Sequence, residues 1–202
     1  MAESSDTGAT RSRFLELREE QRLVRDGYEF LDEKRILLAA ELLSQLAQFQ
    51  ERYRRYEALH AEAVDALRLA VRRHGLDELT VYPRGVPQDL GLDVSSTRFL
   101  GVVLTRATLA FEAERRTAAN PSPEARHCGA RFGALVEMAA ELAALRGNLH
   151  RLSAEYVRTD RRARALDNVL LPEIADALKA MEDQLEVIEQ EDAVRVRLHA
   201  PA

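Results

Sequence analysis

Three arginines lie within four residues of one another, Arg161, Arg162 and Arg164. Guanidinium groups bind carboxylates through several donors at once, so this cluster fits a contact with an acidic or dipolar protein surface. The alternative is a solvated helix face whose charges are screened by salt and contribute little energy. Nucleic acid is not an expected partner, because acidic residues outnumber basic ones by 34 to 29 and the two signs are interleaved.

The sequence has no recognisable catalytic, cofactor or metal-binding set. A phosphate-binding loop needs a Gly-x-x-x-x-Gly-Lys-[Ser/Thr] segment, which is absent. His127 and Cys128 are adjacent, but such neighbours point in different directions near a helix start and have no third ligand nearby. Cys128 is the only cysteine, so an intrachain disulfide is excluded. We therefore expect a protein that is not itself an enzyme and has no cofactor.

Two long helical stretches are predicted on either side of a middle region without helical periodicity. The predicted organisation is a disordered tail over residues 1–9, a helix over 10–74, an insert over 75–123, a helix over 124–197 and a tail over 198–202. Helices much longer than 25 residues with apolar heptads are typical of coiled coils. The expected fold is mainly α, a long antiparallel two-helix coiled coil with a small insert that contains a β-hairpin.

Apolar residues recur every seven positions in both helices and define the expected seam between them. The first helix has one series at Leu17, Val24, Leu31 and Leu38. We expect this series to slip by one residue afterwards, to Leu46, Tyr53, His60 and Leu67. In the second helix the register moves by one residue near Pro172, because an interior proline removes a hydrogen bond and kinks the helix.

The antiparallel arrangement also predicts which positions lie level with each other. If His74 and Glu124 meet at one end, Gly27 lies opposite Pro172, where a position without a side chain would accommodate the kink. The same alignment brings two cations of the first helix level with the arginine cluster. We call this predicted surface the basic belt; its members are Lys34, Arg35, Arg161, Arg162 and Arg164.

The insert is predicted to form a β-hairpin from two β-prone runs, residues 90–94 and 99–111. Residues 95–98, Ser-Ser-Thr-Arg, suit the turn between them. One interpretation is that the hairpin caps the end of the helix pair. The other is that it projects sideways and contacts a partner.

Three segments resemble the D subunit of V/A-type rotary ATPases, in order and at the right spacing. The first helix has the family's Thr-Arg start, a glycine at Gly27, then a leucine and a Lys-Arg pair. Residues 161–172 read Arg-Arg-Ala-Arg-Ala-Leu-Asp-Asn-Val-Leu-Leu-Pro, similar to the family's Arg-Arg-x-x-Ala-Leu segment that ends in proline. Leu100, Gly101 and Val102 resemble the Met-Gly-Val segment of the family's hairpin, although Thr105 stands where a proline is common.

The resemblance implies a non-catalytic component of the central stalk, the rotor axle that couples ATP hydrolysis or synthesis to proton or sodium movement through a membrane ring. The implied partners are the catalytic A and regulatory B subunits, the small F subunit and the funnel-shaped C subunit. The implied location is the cytoplasmic face of the membrane, which the chain contacts only through the complex. The alternative is a helical-hairpin adaptor or scaffold, of export-apparatus or cytoskeletal type, with no rotary role.

Overall fold

The computed structural model describes residues 10–79, 90–111 and 122–199. Its elements are helix α1 (Arg11–Leu79), strand β1 (Leu90–Phe99), strand β2 (Val102–Phe111), helix α2 (Pro123–Ala165), a π-helical turn (Leu166–Leu170) and helix α3 (Leu171–His199). The predicted fold class, long N- and C-terminal helices with a β-hairpin between them, is confirmed. The predicted tail at residues 1–9 lies outside the described residues, as do residues 200–202 of the tail predicted at 198–202; residues 198 and 199 are the last two of α3.

The chain forms two compact units. Unit 1 comprises Met1–Leu37 and Tyr156–Ala202, and unit 2 comprises Leu38–Glu155. In unit 1 the start of α1 pairs with α3, through Arg11 and Glu189 at 3.5 Å, and its later part pairs with α2, through Arg35 and Asp160 at 3.1 Å. Residue numbers increase along α1 from 11 to 35 while those of their partners decrease from 189 to 160, so the two segments are antiparallel.

In unit 2 the helices are also antiparallel, and two ion pairs join them. Arg52 contacts Glu141 at 2.9 Å, and Arg131 contacts Glu62 at 2.9 Å. Ser122 begins α2 as its N-cap, since its Oγ accepts a hydrogen bond from the backbone N–H of Ala125 at 3.1 Å. The described part of the chain contains no helix that combines the length and apolar character needed to span a membrane.

The buried face of α1 follows one heptad register without the slip predicted from the sequence. Leu46, Tyr53 and Leu67 are all exposed. His60, predicted in the seam, is exposed as well and stacks on Tyr56, with ring centroids 6.3 Å apart. The inward positions, which alternate three and four residues apart, are instead occupied by Leu38, Leu42, Gln45, Phe49, Arg52, Tyr56, Leu59, Ala63, Ala66 and Ala70.

The predicted slip was wrong because two inward positions of α1 carry polar side chains. Gln45 donates to Glu41 at 2.8 Å, and Arg52 donates to Glu141 of the facing helix at 2.9 Å. These bonds allow both residues to lie at half-buried positions that a search for apolar residues passes over. The heptad of α1 is therefore continuous, with polar and alanine positions in its later part.

The register change in the C-terminal helix is present, and the π-helical turn gives its physical cause. The backbone N–H of Leu171 donates to the carbonyl of Leu166, five residues back instead of four. A π turn holds one residue more than an α turn, so every later side chain is displaced by one position. Inward residues before the turn include Ala163 and Leu166; after it they include Leu171 and Ile174.

The hairpin turn lies further along the chain than the sequence suggested. Phe99 pairs with Val102, so the loop is the two residues Leu100 and Gly101, and residues 95–98 belong to β1. Both loop residues have positive φ, 48° and 90°, as a type I′ turn requires. Leucine is rarely found in this conformation, which is why the turn was placed at the polar residues instead.

Candidate functional site

The basic belt lies entirely in unit 1, and one carboxylate that the sequence analysis missed organises it. Asp160 accepts from Arg35 of α1 at 3.1 Å and from Arg164 of its own helix at 3.0 Å. Arg35 also donates to Asp32. The hydrogen bond to Asp160 is the main cause that raises the pKa of Arg35 above its ordinary value. Arg35 and Arg164 are thus neutralised by acidic neighbours within the chain.

The remaining arginines of the belt face outward. Arg161 and Arg162 are exposed, and neither has an ion pair with any residue that the structure describes. Lys34 is half-buried and has an interaction partner. The belt therefore divides into a paired part, Arg35 and Arg164, which contact Asp160, and an unpaired part, Arg161 and Arg162, which have no ion pair among the described residues. An interface with another protein would use the unpaired part, and that role stays a prediction.

Gly27 packs against the π-helical turn. A Cβ placed on Gly27 would have Leu166 Cδ1 at 3.8 Å as its only neighbour within 4 Å outside its own helix, among the described residues. This is an ordinary van der Waals distance, so the position does not require a glycine for reasons of space. The alignment of Gly27 with Pro172 along the helix axis stays a prediction.

The hairpin contains the second candidate surface, and its β2 strand lies against α2 within unit 2. The Asn148 side chain is 3% exposed and pairs with both backbone groups of Thr105. Its Oδ1 accepts from the Thr105 N–H at 2.8 Å, and its Nδ2 donates to the Thr105 carbonyl at 2.8 Å. The amide thus forms the two hydrogen bonds that a neighbouring strand would otherwise supply.

Arg151, one helical turn further, extends this contact. Its Nε donates to the carbonyl of Val103 at 2.7 Å, and its terminal nitrogen donates to Thr105 Oγ1 at 2.8 Å and to Asn148 Oδ1 at 2.6 Å. These contacts lie far along α2 from its start at Pro123. The structure therefore does not support the interpretation that the hairpin caps the end of the helix pair. The predicted hairpin residues Leu100, Gly101 and Val102 lie at its tip, where Val102 is buried.

An exposed apolar stripe on α1 was also missed by the sequence analysis. Leu23, Phe30 and Leu37 are 72%, 66% and 50% exposed and lie seven residues apart. Each directly precedes an inward residue of α1, namely Val24, Leu31 or Leu38. The stripe therefore runs along the helix beside its buried face and is open to solvent. Its seven-residue spacing was a signal in the sequence, hidden because the inward series has the same spacing. Exposed apolar stripes of this kind are typical of protein–protein contacts.

The structure shows no geometry suited to catalysis in the residues it describes. No group of three or more potential metal ligands occurs within residues 10–79, 90–111 and 122–199. Burial raises the pKa of the Cys128 thiol, which makes it a weaker nucleophile. A cleft of about 660 Å³ in unit 2 lies between the hairpin and both helices, but Arg52 and Glu141 in its lining neutralise each other.

Comparison with known proteins gives a consistent result over nearly the whole chain. Residues 13–199 match the family model of the ATP synthase D subunit. The chain is 24% identical to the D subunit of a V-type ATP synthase from Thermotoga neapolitana, over 93% of this chain and 94% of that protein. It is 27% identical to the D subunit of an A-type ATP synthase from Pyrococcus furiosus, over 93% and 90% of the two chains. The D subunit of a V-type ATP synthase from Thermus thermophilus is 26% identical over 96% and 87%.

Proposed function

Because this chain belongs to the family of the ATP synthase D subunit, we propose that it is the rotor axle of a V/A-type rotary ATPase. In this role it turns inside a ring of alternating catalytic A and regulatory B subunits and couples ATP hydrolysis or synthesis to proton or sodium movement. It binds nucleotide nowhere itself. Its middle region binds the small F subunit and the funnel-shaped C subunit, on the cytoplasmic face of the membrane.

The observation that carries this proposal is the inward register of the paired helices, which is unbroken along α1 and shifts by one residue in the facing segment only at the π-helical turn. An axle must transmit torque without its two helices sliding past each other. In unit 1, Leu17 and Ile174 are buried between the segments, and the bond between Arg35 and Asp160 crosses between them. In unit 2, Leu38 and Leu152 are fully buried, which fixes that part of the seam sterically.

Torque also requires contacts between the axle and the surrounding ring. The exposed arginines Arg161 and Arg162 would approach carboxylates or carbonyl groups of the ring, and the apolar stripe Leu23, Phe30 and Leu37 would supply the non-polar part of the contact. Arg35 bonds to Asp160 across the two segments and would maintain the helix pair instead, while Arg164 pairs with Asp160 within its own helix. The hairpin, which is attached to the side of α2, would modulate the activity of the catalytic ring.

A scaffold or adaptor without a rotary role is disfavoured, since the family match extends from residue 13 to residue 199. The deciding experiment is single-molecule rotation. The chain is assembled with A, B and F subunits on a surface, and a bead is attached to an exposed cysteine introduced at Ser95. Stepwise unidirectional rotation on addition of ATP supports the axle role. An ATPase-active complex in which the bead never turns would contradict it.

A further inference from the structure

We propose that Asn148 and Arg151 are positioning residues that fix the hairpin against α2 and thereby set the ATPase rate of the assembled complex. We call these two residues and their partners Val103 and Thr105 the latch. The inference rests on the proposed function, because the hairpin must act on the catalytic ring for its position to matter. It adds the residues that determine where the hairpin stands.

The latch is built from side chains that complete the edge of a β-strand. A strand pairs through alternate residues, and within the described parts of the chain β2 pairs with a strand, β1, on one edge only. On the other edge, the N–H and C=O of Thr105 bind Asn148, and the C=O of Val103 binds Arg151. Two residues of one helical turn therefore bind three backbone groups on the free edge of β2, at Val103 and Thr105.

The latch is a closely packed contact, as the burial of Asn148 and the space beside Gly147 show. Asn148 is 3% exposed, so its two bonds to the Thr105 backbone are shielded from competing water. Gly147 leaves room for the Arg151 guanidinium, since a Cβ there would lie 3.3 Å from its terminal nitrogen. Arg151 in turn donates to Asn148 and holds the amide in the orientation that matches the strand.

The remainder of the hairpin has little else in the described structure to hold it. Residues 91–98 of β1 are all exposed, including Leu92 at 58% and Val94 at 55%. An isolated two-stranded hairpin is marginally stable in water. The latch, together with the buried Val102, therefore determines whether the hairpin keeps one position on the helix.

The first test measures whether the latch holds the hairpin. N148L keeps the shape of the side chain but removes its hydrogen bonds to Thr105 and Arg151, and T105P removes the N–H and the hydroxyl of Thr105 while leaving the helix unchanged. A107P is the matched control, because Ala107 lies two residues along on the same edge and has no latch contact. In hydrogen exchange on the full-length chain in its complex, we expect hairpin amides of N148L and T105P to exchange about tenfold faster or more. Unchanged exchange in both variants would overturn the latch.

The second test measures the ATPase rate of the reconstituted complex. A hairpin deletion of residues 92–109 joins Gly91 to Ala110, which are cross-strand partners, and so leaves ends that can be connected directly. If the deletion changes the rate and N148L and T105P shift it in the same direction at unchanged melting temperature, the inference is supported. If only the deletion changes the rate, the latch inference fails and the hairpin's role remains. If the deletion has no effect, the hairpin's part of the proposed function fails, and the latch inference fails with it.

Discussion

Arg35 on α1 donates a hydrogen bond to Asp160 on α2 at 3.1 Å, and the same carboxylate accepts from Arg164 at 3.0 Å. The Asp160 side chain is only 17% exposed, so one acidic group joins the two helices of unit 1 and orders the arginine cluster beside it. This relationship separates the basic residues that maintain the fold from those available to a partner.

Replacing Asp160 should therefore destabilise the protein. D160N preserves shape but weakens two charge-assisted hydrogen bonds, and we expect the free energy of unfolding to fall by about 1–3 kcal/mol. For a chain of this size that corresponds to a melting temperature lower by several degrees. D176N is the control, because Asp176 is exposed on α3 and should change stability by less than about 0.5 kcal/mol. Equal melting temperatures for the two variants would show that the Asp160 contacts are not stabilising.

Neutralising the exposed arginines should have the opposite pattern. R161Q/R162Q neutralises two arginines that have no ion pair among the described residues. The free energy of unfolding should therefore change by less than about 0.5 kcal/mol. If these residues contact the ring, the ratio of ion pumping to ATP hydrolysis should decrease in reconstituted membranes. The control is R22Q/R25Q, which changes two exposed arginines elsewhere on unit 1. A ratio equal to that of the control would leave the belt as a solvated surface.

Gly27 offers a stabilising substitution. A methyl group there meets only Leu166 Cδ1, at 3.8 Å, and glycine inside a helix costs about 0.5–1 kcal/mol relative to alanine. G27A should therefore raise the free energy of unfolding by about that amount, as measured by denaturant titration. A lower free energy of unfolding for G27A would contradict this and would mean that the facing helix packs more closely against Gly27 than the 3.8 Å distance indicates.

The π-helical turn predicts that one particular residue can be removed. Deleting Val169, which is 52% exposed, restores a regular spacing between the inward residues before and after the turn, Leu166 and Leu171. We expect the deletion variant to fold with a melting temperature close to that of the parent. Deleting exposed Ala154 in α2 instead displaces every later inward residue and should destabilise strongly. Circular dichroism melting curves of the two variants compare these outcomes, and equal losses would contradict the assignment of the register change to this turn.

The sequence was sufficient for the helices and the presence of the hairpin, because these depend on local periodicity and on runs of β-prone residues. It was not sufficient where a polar residue is stabilised by a distant partner. Arg52 lies inward because Glu141 faces it, and Asn148 is buried because both backbone groups of Thr105 bond to its amide. These pairs are separated by 89 and 43 residues, so no short pattern contains them.

The misplaced hairpin turn has a different origin. The turn requires positive φ at two successive positions, and Leu100 adopts φ 48° although leucine disfavours it. The pairing of the two strands from residue 90 to residue 111 determines the loop, and the local preference of one residue does not override it.

The extra residue in the π-helical turn also has a consequence for the history of the family. Turns of this kind arise when a single amino acid is inserted into an older, regular helix and the protein keeps its packing on both sides. Homologues without this insertion should show a one-residue gap between positions 166 and 170 in an alignment, and an unbroken α-helix in their structures. The distribution of that gap would separate older from younger lineages of the ATP synthase D subunit family.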